Sequence, residues 1–284
     1  MRFLVLGCNG MAGHMVSLYL KEAGHEVVGF ARKESSLVTC VTGDAKNQDL
    51  LRGLIKDNEF DSVINCIGVL NQFAEQNKAE ATYLNAYLPH FLAMITSDTK
   101  TQVIHMSTDC VFSGKRGQYT ENDFPDGETF YDRSKALGEL IDGKNLTLRC
   151  SIVGPDPNPQ GIGLLNWFMQ QKGHIRGYTR AIWTGQTTLQ LAKTMEYAAR
   201  ERAVGLYNMV PNESISKYDL LKLFNHYLRD DKIEIEPYDD FVADKSLVRS
   251  NFAFPYLVPG YVDMISALAE WMRNYKKLYP HYQL

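Results

Sequence analysis

The chain has 284 residues, 45% hydrophobic and 22% charged, with a formal net charge of −3. That length allows one large domain or two modest ones with an ample core. The weak negative balance, without a long basic run or an apolar stretch of membrane-spanning length, gives no footing for a nucleic-acid or membrane partner.

An apolar run over residues 2–7 predicts a first strand. It is too short, and too soon broken by glycine, for a signal peptide. Residues 11–23 carry apolar side chains at helical spacing, and Gly24 ends them. Strands are predicted over 26–31 and 36–42, a helix over 47–56, and a fourth strand over 61–66. A long helical pattern covers 75–96 in spite of Pro89. A strand over 102–106, a helix over 131–141 and a strand over 146–149 follow. Strands alternating with helices imply right-handed βαβ units, so the fold class is α/β, with a doubly wound parallel sheet.

The pattern loosens after residue 150. Residues 153–163 hold Pro155, Pro157 and Pro159 and read as a surface loop. Residues 205–210 read as a buried strand that returns to the first sheet. Residues 215–228 and 262–275 are amphipathic helices. The expected organisation is a dinucleotide-binding domain over 1–150 and a smaller substrate lobe over 151–284. That lobe lies over the strand ends, where ligands bind in this architecture.

The five cysteines, Cys8, Cys40, Cys66, Cys110 and Cys150, form no CxxC pair. They read as small buried hydrophobes, which suits a reducing cytoplasm. The histidines form no HExxH, and no metal site is expected.

The first strand runs into Gly7-Cys8-Asn9-Gly10-Met11-Ala12-Gly13. A helix N-terminus offers unpaired N–H groups and the positive end of its dipole to a pyrophosphate. Gly7, Asn9, Gly10, Met11 and Gly13 are therefore candidate dinucleotide contacts, although the spacing is GxxGxxG rather than GxGxxG. The second strand ends in Phe30-Ala31-Arg32-Lys33, with no acidic residue to accept from ribose hydroxyls. Arg32 can fork onto a 2′-phosphate, which favours NADPH over NADH; otherwise both basic residues are simply solvated. Asp44 either accepts from an adenine amino group or caps the next helix. Cys66, Ile67 and Gly68 end the fourth strand at the same sheet edge, in position to flank the cofactor.

Tyr131 and Lys135 are spaced i,i+4 on one helix, so they face the same way. A phenol is a poor base at neutrality, and a nearby ammonium is expected to pull its pKa down. The same lysine can hold nicotinamide ribose hydroxyls. Ser107 and Thr108 end the preceding strand, where Thr108 can orient a substrate oxygen. A second YxxxK string, Tyr218 to Lys222, has no such strand end beside it and reads as helix surface. In the second half, Arg180 and Trp183 suit phosphate and a base or sugar face. The alternative is a charged hairpin around a buried tryptophan. Arg249 is a further candidate, and the aromatic end from Trp271 to Tyr282 is expected to pack the lobe.

The glycine turn, Ser107-Thr108-Asp109 and Tyr131-Asp132-Arg133-Ser134-Lys135, in this order, resemble the extended short-chain dehydrogenase/reductases of Rossmann type. Met106 through Gly114, Gly117 through Asp123 and Tyr131 through Glu139 are similar to dTDP-4-dehydrorhamnose reductases. The resemblance implies NADPH-dependent reduction of the 4-keto group of a nucleotide-linked 4-keto-6-deoxyhexose for surface polysaccharide precursors. It casts Thr108, Tyr131 and Lys135 as the catalytic triad, with Ser107 on the cofactor side. Asp109, Val111 and Phe112 would join Thr108 and Tyr131 along the substrate.

The sequence departs from the rhamnose reductases over Cys66 through Glu75 and over Thr184 through Thr188, so the sugar can differ. Sugar-nucleotide dehydratases carry Thr-Asp-Glu where this chain has Thr108-Asp109-Cys110, which argues against water elimination. A sugar-nucleotide 4-epimerase and a non-catalytic NADP-binding regulatory subunit are the alternatives. A homodimer is left open.

Overall fold

The computed structural model describes residues 1–283. The first half runs β1 (Arg2–Leu6), α1 (Met11–Glu22), β2 (Glu26–Ala31), β3 (Thr39–Thr42), α2 (Gln48–Lys56) and β4 (Ser62–Asn65). Three short helices follow, α3 (Asn71–Gln76), α4 (Lys78–Ala81) and α5 (Leu88–Ile95), then β5 (Gln102–Ser107), α6 (Phe130–Leu137) and β6 (Leu146–Arg149). The second half holds β7 (Ser151–Val153), α7 (Leu164–Met169), β8 (His174–Tyr178), β9 (Ala181–Trp183), β10 (Gly185–Thr187) and α8 (Thr188–Arg200). It ends with β11 (Gly205–Asn208), β12 (Ile215–Ser216), α9 (Lys217–Arg229), β13 (Glu234–Tyr238), β14 (Ala243–Asp244) and α10 (Tyr261–Asn274).

Seven strands form one parallel sheet in the order β11-β6-β5-β4-β1-β2-β3. The order turns back between β1 and β4, and the crevice outside the carboxyl ends of these strands is where such sheets bind ligands. β1 shows why the sheet is covered on both faces. Its side chains alternate, so Phe3 and Val5 pack with Val16, Leu20, Leu191 and Met195 on one face. Leu4 and Leu6 pack with Leu51, Ile55, Phe91 and Leu92 on the other. A separate core joins α7, α9 and α10 through Phe168, Leu221, Phe224, Leu268 and Met272. The C-terminal aromatics pack into it: Tyr279 is fully buried, and its hydroxyl meets His14 Nε2 of α1 at 2.9 Å.

The helix expected over 75–96 begins earlier and is broken. Asn77 leaves helical geometry (φ −131°) and caps α4 by accepting from Glu80 N. A π-helical turn, Thr82–Tyr87, then joins α4 to α5, whose first turn contains Pro89. Proline has no N–H, so the Asn85 carbonyl is left without its i+4 donor. Gly138 packs directly onto that carbonyl; a Cβ on it would come within 1.9 Å of Asn85 O. That glycine also ends α6 earlier than the expected residue 141. The third strand is shorter than expected. Residues 174–183 do not form a hairpin, because β8 pairs with β13 while β9 lies between β12 and β14.

Candidate active site

The glycine turn has the shape its sequence asks for. Gly7 sits at φ +79°, which favours glycine. Gly10 begins α1 with no side-chain cap, so the first-turn N–H groups are not satisfied by a neighbouring side chain. Gly13 lies so close to the turn that a Cβ would fall 2.1 Å from Gly7 O. Gly13→Ala is therefore expected to cost about 1–3 kcal/mol by overpacking. The checks are a lower melting temperature and weaker dinucleotide binding by fluorescence titration.

Asn9 reaches sideways rather than over the turn. Its Nδ2 donates to Lys33 O at 3.0 Å and Glu34 O at 3.1 Å, bracing the loop that carries Arg32. Arg32 is exposed. Asp44 accepts from Lys46 N at 2.9 Å and lies 3.6 Å from Lys46 Nζ. It does not cap α2; Asn47 does. These residues fit a dinucleotide: uncapped helix donors for phosphate, a guanidinium at the end of β2 and a carboxylate at the end of β3.

The edge after β4 is pinned from two sides. Asn65 Oδ1 accepts from Ile67 N, which fixes the amide so that Nδ2 donates to His105 Nδ1 at 3.2 Å. Asn85 accepts from Val69 N at 2.8 Å and donates to Val69 O at 2.9 Å and Ser134 Oγ at 3.0 Å. The π turn, a geometry that recurs at functional sites, aims this buried amide at the loop after β4 and at α6.

Tyr131 and Lys135 stand on α6, whose start is fixed by a capping box between Thr129 and Asp132. Tyr131, Thr108 and Lys135 are all buried. Thr108 lies beside the Tyr131 phenol, close enough to favour its phenolate. Thr108 Oγ1 also donates to Asp109 Oδ1 at 3.0 Å and accepts from Cys110 N at 3.1 Å. Burial holds the Tyr131 pKa well above the usual phenol range, with Cys110, Asp109 and Asp132 adding to the effect and Thr108 opposing it.

The expected depression of Tyr131 by Lys135 is therefore corrected. The Lys135 ammonium lies 2.7 Å from Met106 O and 3.4 Å from His105 Nε2, and burial outweighs any pull it exerts on the phenol. Burial pushes Lys135 itself down to about 8, with Glu139 and Cys66 opposing. Burial thus keeps the phenol protonated at neutral pH.

Three further expectations change. The Ser107 hydroxyl is already engaged, donating to Glu139 Oε1 at 2.7 Å within a buried Glu139–Arg149 pair. Val111 and Phe112 are fully buried in the sheet core, where Phe112 stacks on Tyr119 at 4.3 Å; their side chains do not line the substrate side. Arg249 donates to the carbonyls of Asn251, Phe254 and Tyr256, so it fastens a loop.

A cavity of about 610 Å³ opens beside the reactive end, from Asp109 and Cys110 out to the second half. Trp183 lines it, but Arg180 does not. β8 alternates exposed and buried residues, so Arg176 and Tyr178 share a face and reach the cavity, while Arg180 sits in the turn beyond. Lys217 and Lys245 also line it, and the sequence reading missed both. Ser216 as a helix cap places Lys217 in the first turn of α9. Only the pairing of β12 with β9 turns it toward Asp109. The second YxxxK string is ordinary helix surface, with the Lys222 ammonium 5.3 Å from the centre of the Tyr218 ring. Among the described residues no His, Cys, Asp or Glu cluster could hold a metal ion, and no helix is long and apolar enough to cross a membrane.

The RmlD substrate binding domain family matches residues 1–154 of the 284. The chain belongs to that family. The match takes in the glycine turn, Thr108, Tyr131 and Lys135 together. Among relatives, the probable low-salt glycan biosynthesis reductase Agl14 of Haloferax volcanii is 36% identical over 52% of each chain. A dTDP-4-dehydrorhamnose reductase of Burkholderia thailandensis is 27% identical over 73% of this chain and 70% of its own. The chain spans about half the length of several of the curated relatives it matches. A dTDP-4-dehydrorhamnose reductase of Bacillus anthracis, solved in complex with NADP, superposes with a TM-score of 0.80. It is 19% identical over 94% of this chain and 98% of its own, and it shares the family's fold.

Proposed function

We propose that the protein is an NADPH-dependent reductase of the 4-keto group of a nucleotide-linked 4-keto-6-deoxyhexose, serving polysaccharide precursor synthesis. The observation that carries this reading is the burial of Tyr131 and Lys135 on α6 beside Thr108 at the end of β5, on the same molecule as an uncapped, glycine-led helix. The reductase names among the relatives support the reaction class, and the NADP-bound neighbour supports the cofactor.

When bound, the dinucleotide supplies the hydride. Tyr131 gives its proton to the carbonyl oxygen of the sugar and is left as phenolate. Thr108 hydrogen-bonds the same oxygen and sets its position. Lys135, one helical turn away, holds ribose hydroxyls and carries positive charge near the phenolate. The cavity lobe over residues 151–284 holds the nucleotide sugar. A phenol held protonated suits reduction, in which it must donate.

The test is loss of nicotinamide absorbance when the protein meets NADPH and a panel of dTDP- and UDP-linked 4-keto-6-deoxy sugars. Oxidation by one of them supports the reductase. NADPH binding with no oxidation moves the reading to a dinucleotide-binding regulatory subunit. Arg32→Ala is expected to weaken NADPH by about tenfold or more while barely changing NADH. Equal losses for both would mean that Arg32 does not read the 2′-phosphate.

A further inference from the structure

We propose that Lys217, with Lys245, forms an anion seat at the inner end of the cavity, gripping a negatively charged oxygen group of the substrate beside Asp109. The proposal rests on reading this cavity as the substrate site.

Lys217 is the first residue of α9. Lys217 is half-buried, and its ammonium lies 4.7 Å from the centre of the Trp183 ring in the cavity wall. Among the described residues it makes no hydrogen bond, and it makes no ion pair within 4.0 Å. Asp109 attracts it without closing to a salt bridge, and burial pushes it down to about 8. An ammonium in a cavity wall with no hydrogen-bond partner of its own can donate to an anionic oxygen without breaking a contact.

Trp183 Nε1 in the same wall is buried without an acceptor. It is a donor, and Lys217 beside it is a second one free to take an acceptor. Lys245 is half-buried, and its charge bears on Asp109 and Cys110. Two ammonium groups thus face one carboxylate, and Asp109 Oδ1 already accepts from Thr108.

The mouth is different. Trp167, Tyr178 and Phe241 are exposed there, with the tilted rings of Tyr178 and Phe241 centred 4.9 Å apart. The cation at the mouth, Arg176, is answered by Glu236 at 3.7 Å and lies 5.1 Å from the centre of the Tyr238 ring. Aromatic faces outside and an excess of positive charge inside fit a ligand with a base at one end and anionic oxygen further in. That oxygen belongs either to the diphosphate of the nucleotide or to an acidic substituent on the sugar ring.

The experiment is calorimetric titration of the full chain with UDP, dTDP and free hexuronates. The proteins compared are wild type, Lys217→Met, Lys245→Met and Lys217→Arg, each checked for an unchanged melting temperature. Trp183 fluorescence serves as a second readout, because the Lys217 ammonium rests on its ring. The diphosphate source predicts a loss of nucleotide affinity of about tenfold or more in Lys217→Met, largely restored in Lys217→Arg. The sugar source predicts unchanged nucleotide affinity with hexuronate binding lost. Wild-type affinity of both ligand classes in Lys217→Met overturns the anion seat and leaves the reductase reading standing. A wild-type protein that binds neither class overturns both.

Discussion

Tyr131→Phe is expected to lower the rate of keto-sugar reduction by about 10²–10⁴-fold while leaving dinucleotide affinity nearly unchanged. The substitution removes one hydroxyl from a ring packed against Ala74 and Ala81, so the packing survives. Thr108 keeps its contacts with Asp109 and Cys110 N, and the substrate-orienting hydroxyl stays where it was. The dinucleotide contacts proposed above lie mostly elsewhere, on the glycine turn and the loop braced by Asn9. Loss of the proton donor should therefore appear in kcat and not in the dissociation constant of NADPH. Single-turnover measurement of nicotinamide absorbance separates the two. Near-normal turnover in this variant would remove Tyr131 from the mechanism. A matching loss of NADPH binding would mean that the phenol holds the cofactor rather than the reaction.

That separation was visible in the sequence because the signals are local. A strand followed by glycines and a helix is written in consecutive residues, and so is an i,i+4 Tyr131–Lys135 pair. The alternation of apolar strands and helices likewise carried the parallel sheet. What the sequence hid depends on contacts between distant segments. Asn85 looks like one polar residue in a helical pattern. Its role appears only because Pro89 withholds an N–H and Gly138 lets α6 close over the freed carbonyl. Val111 and Phe112 follow Asp109 in the chain, but a 3₁₀ turn at Asp109–Val111 leads them into the core. Residue type suited Arg180 to phosphate, but strand alternation puts Arg176 rather than Arg180 on the cavity. The acidity of Tyr131 was misjudged for a related reason. Sequence spacing places Lys135 near it but cannot show that the ammonium lies against Met106 O.

Glu139→Ala is expected to destabilise the fold by about 3–5 kcal/mol, because it leaves a buried guanidinium without its counter-charge. Arg149 meets Glu139 through two bonds, Nε to Oε1 at 2.7 Å and Nη2 to Oε2 at 2.6 Å. The two side chains are only 2% and 3% exposed. Ser107 adds a third bond at 2.7 Å. The pair joins the ends of β5 and β6 to the segment just past α6, and so fixes the strand end bearing Thr108 against the helix bearing Tyr131. Its loss should lower the denaturation midpoint. It should also lower kcat beyond what unfolding accounts for, since small displacements of catalytic groups are costly. Replacing both partners, Glu139→Leu with Arg149→Met, tests the cause. If the orphaned charge is responsible, the double variant recovers much of the stability lost in the single one. If the double variant is as unstable as Glu139→Ala, lost packing and the broken Ser107 bond explain the effect instead. A single-variant loss below about 1 kcal/mol would put the pair at the level of an exposed salt bridge and take away its part in holding β5 to α6.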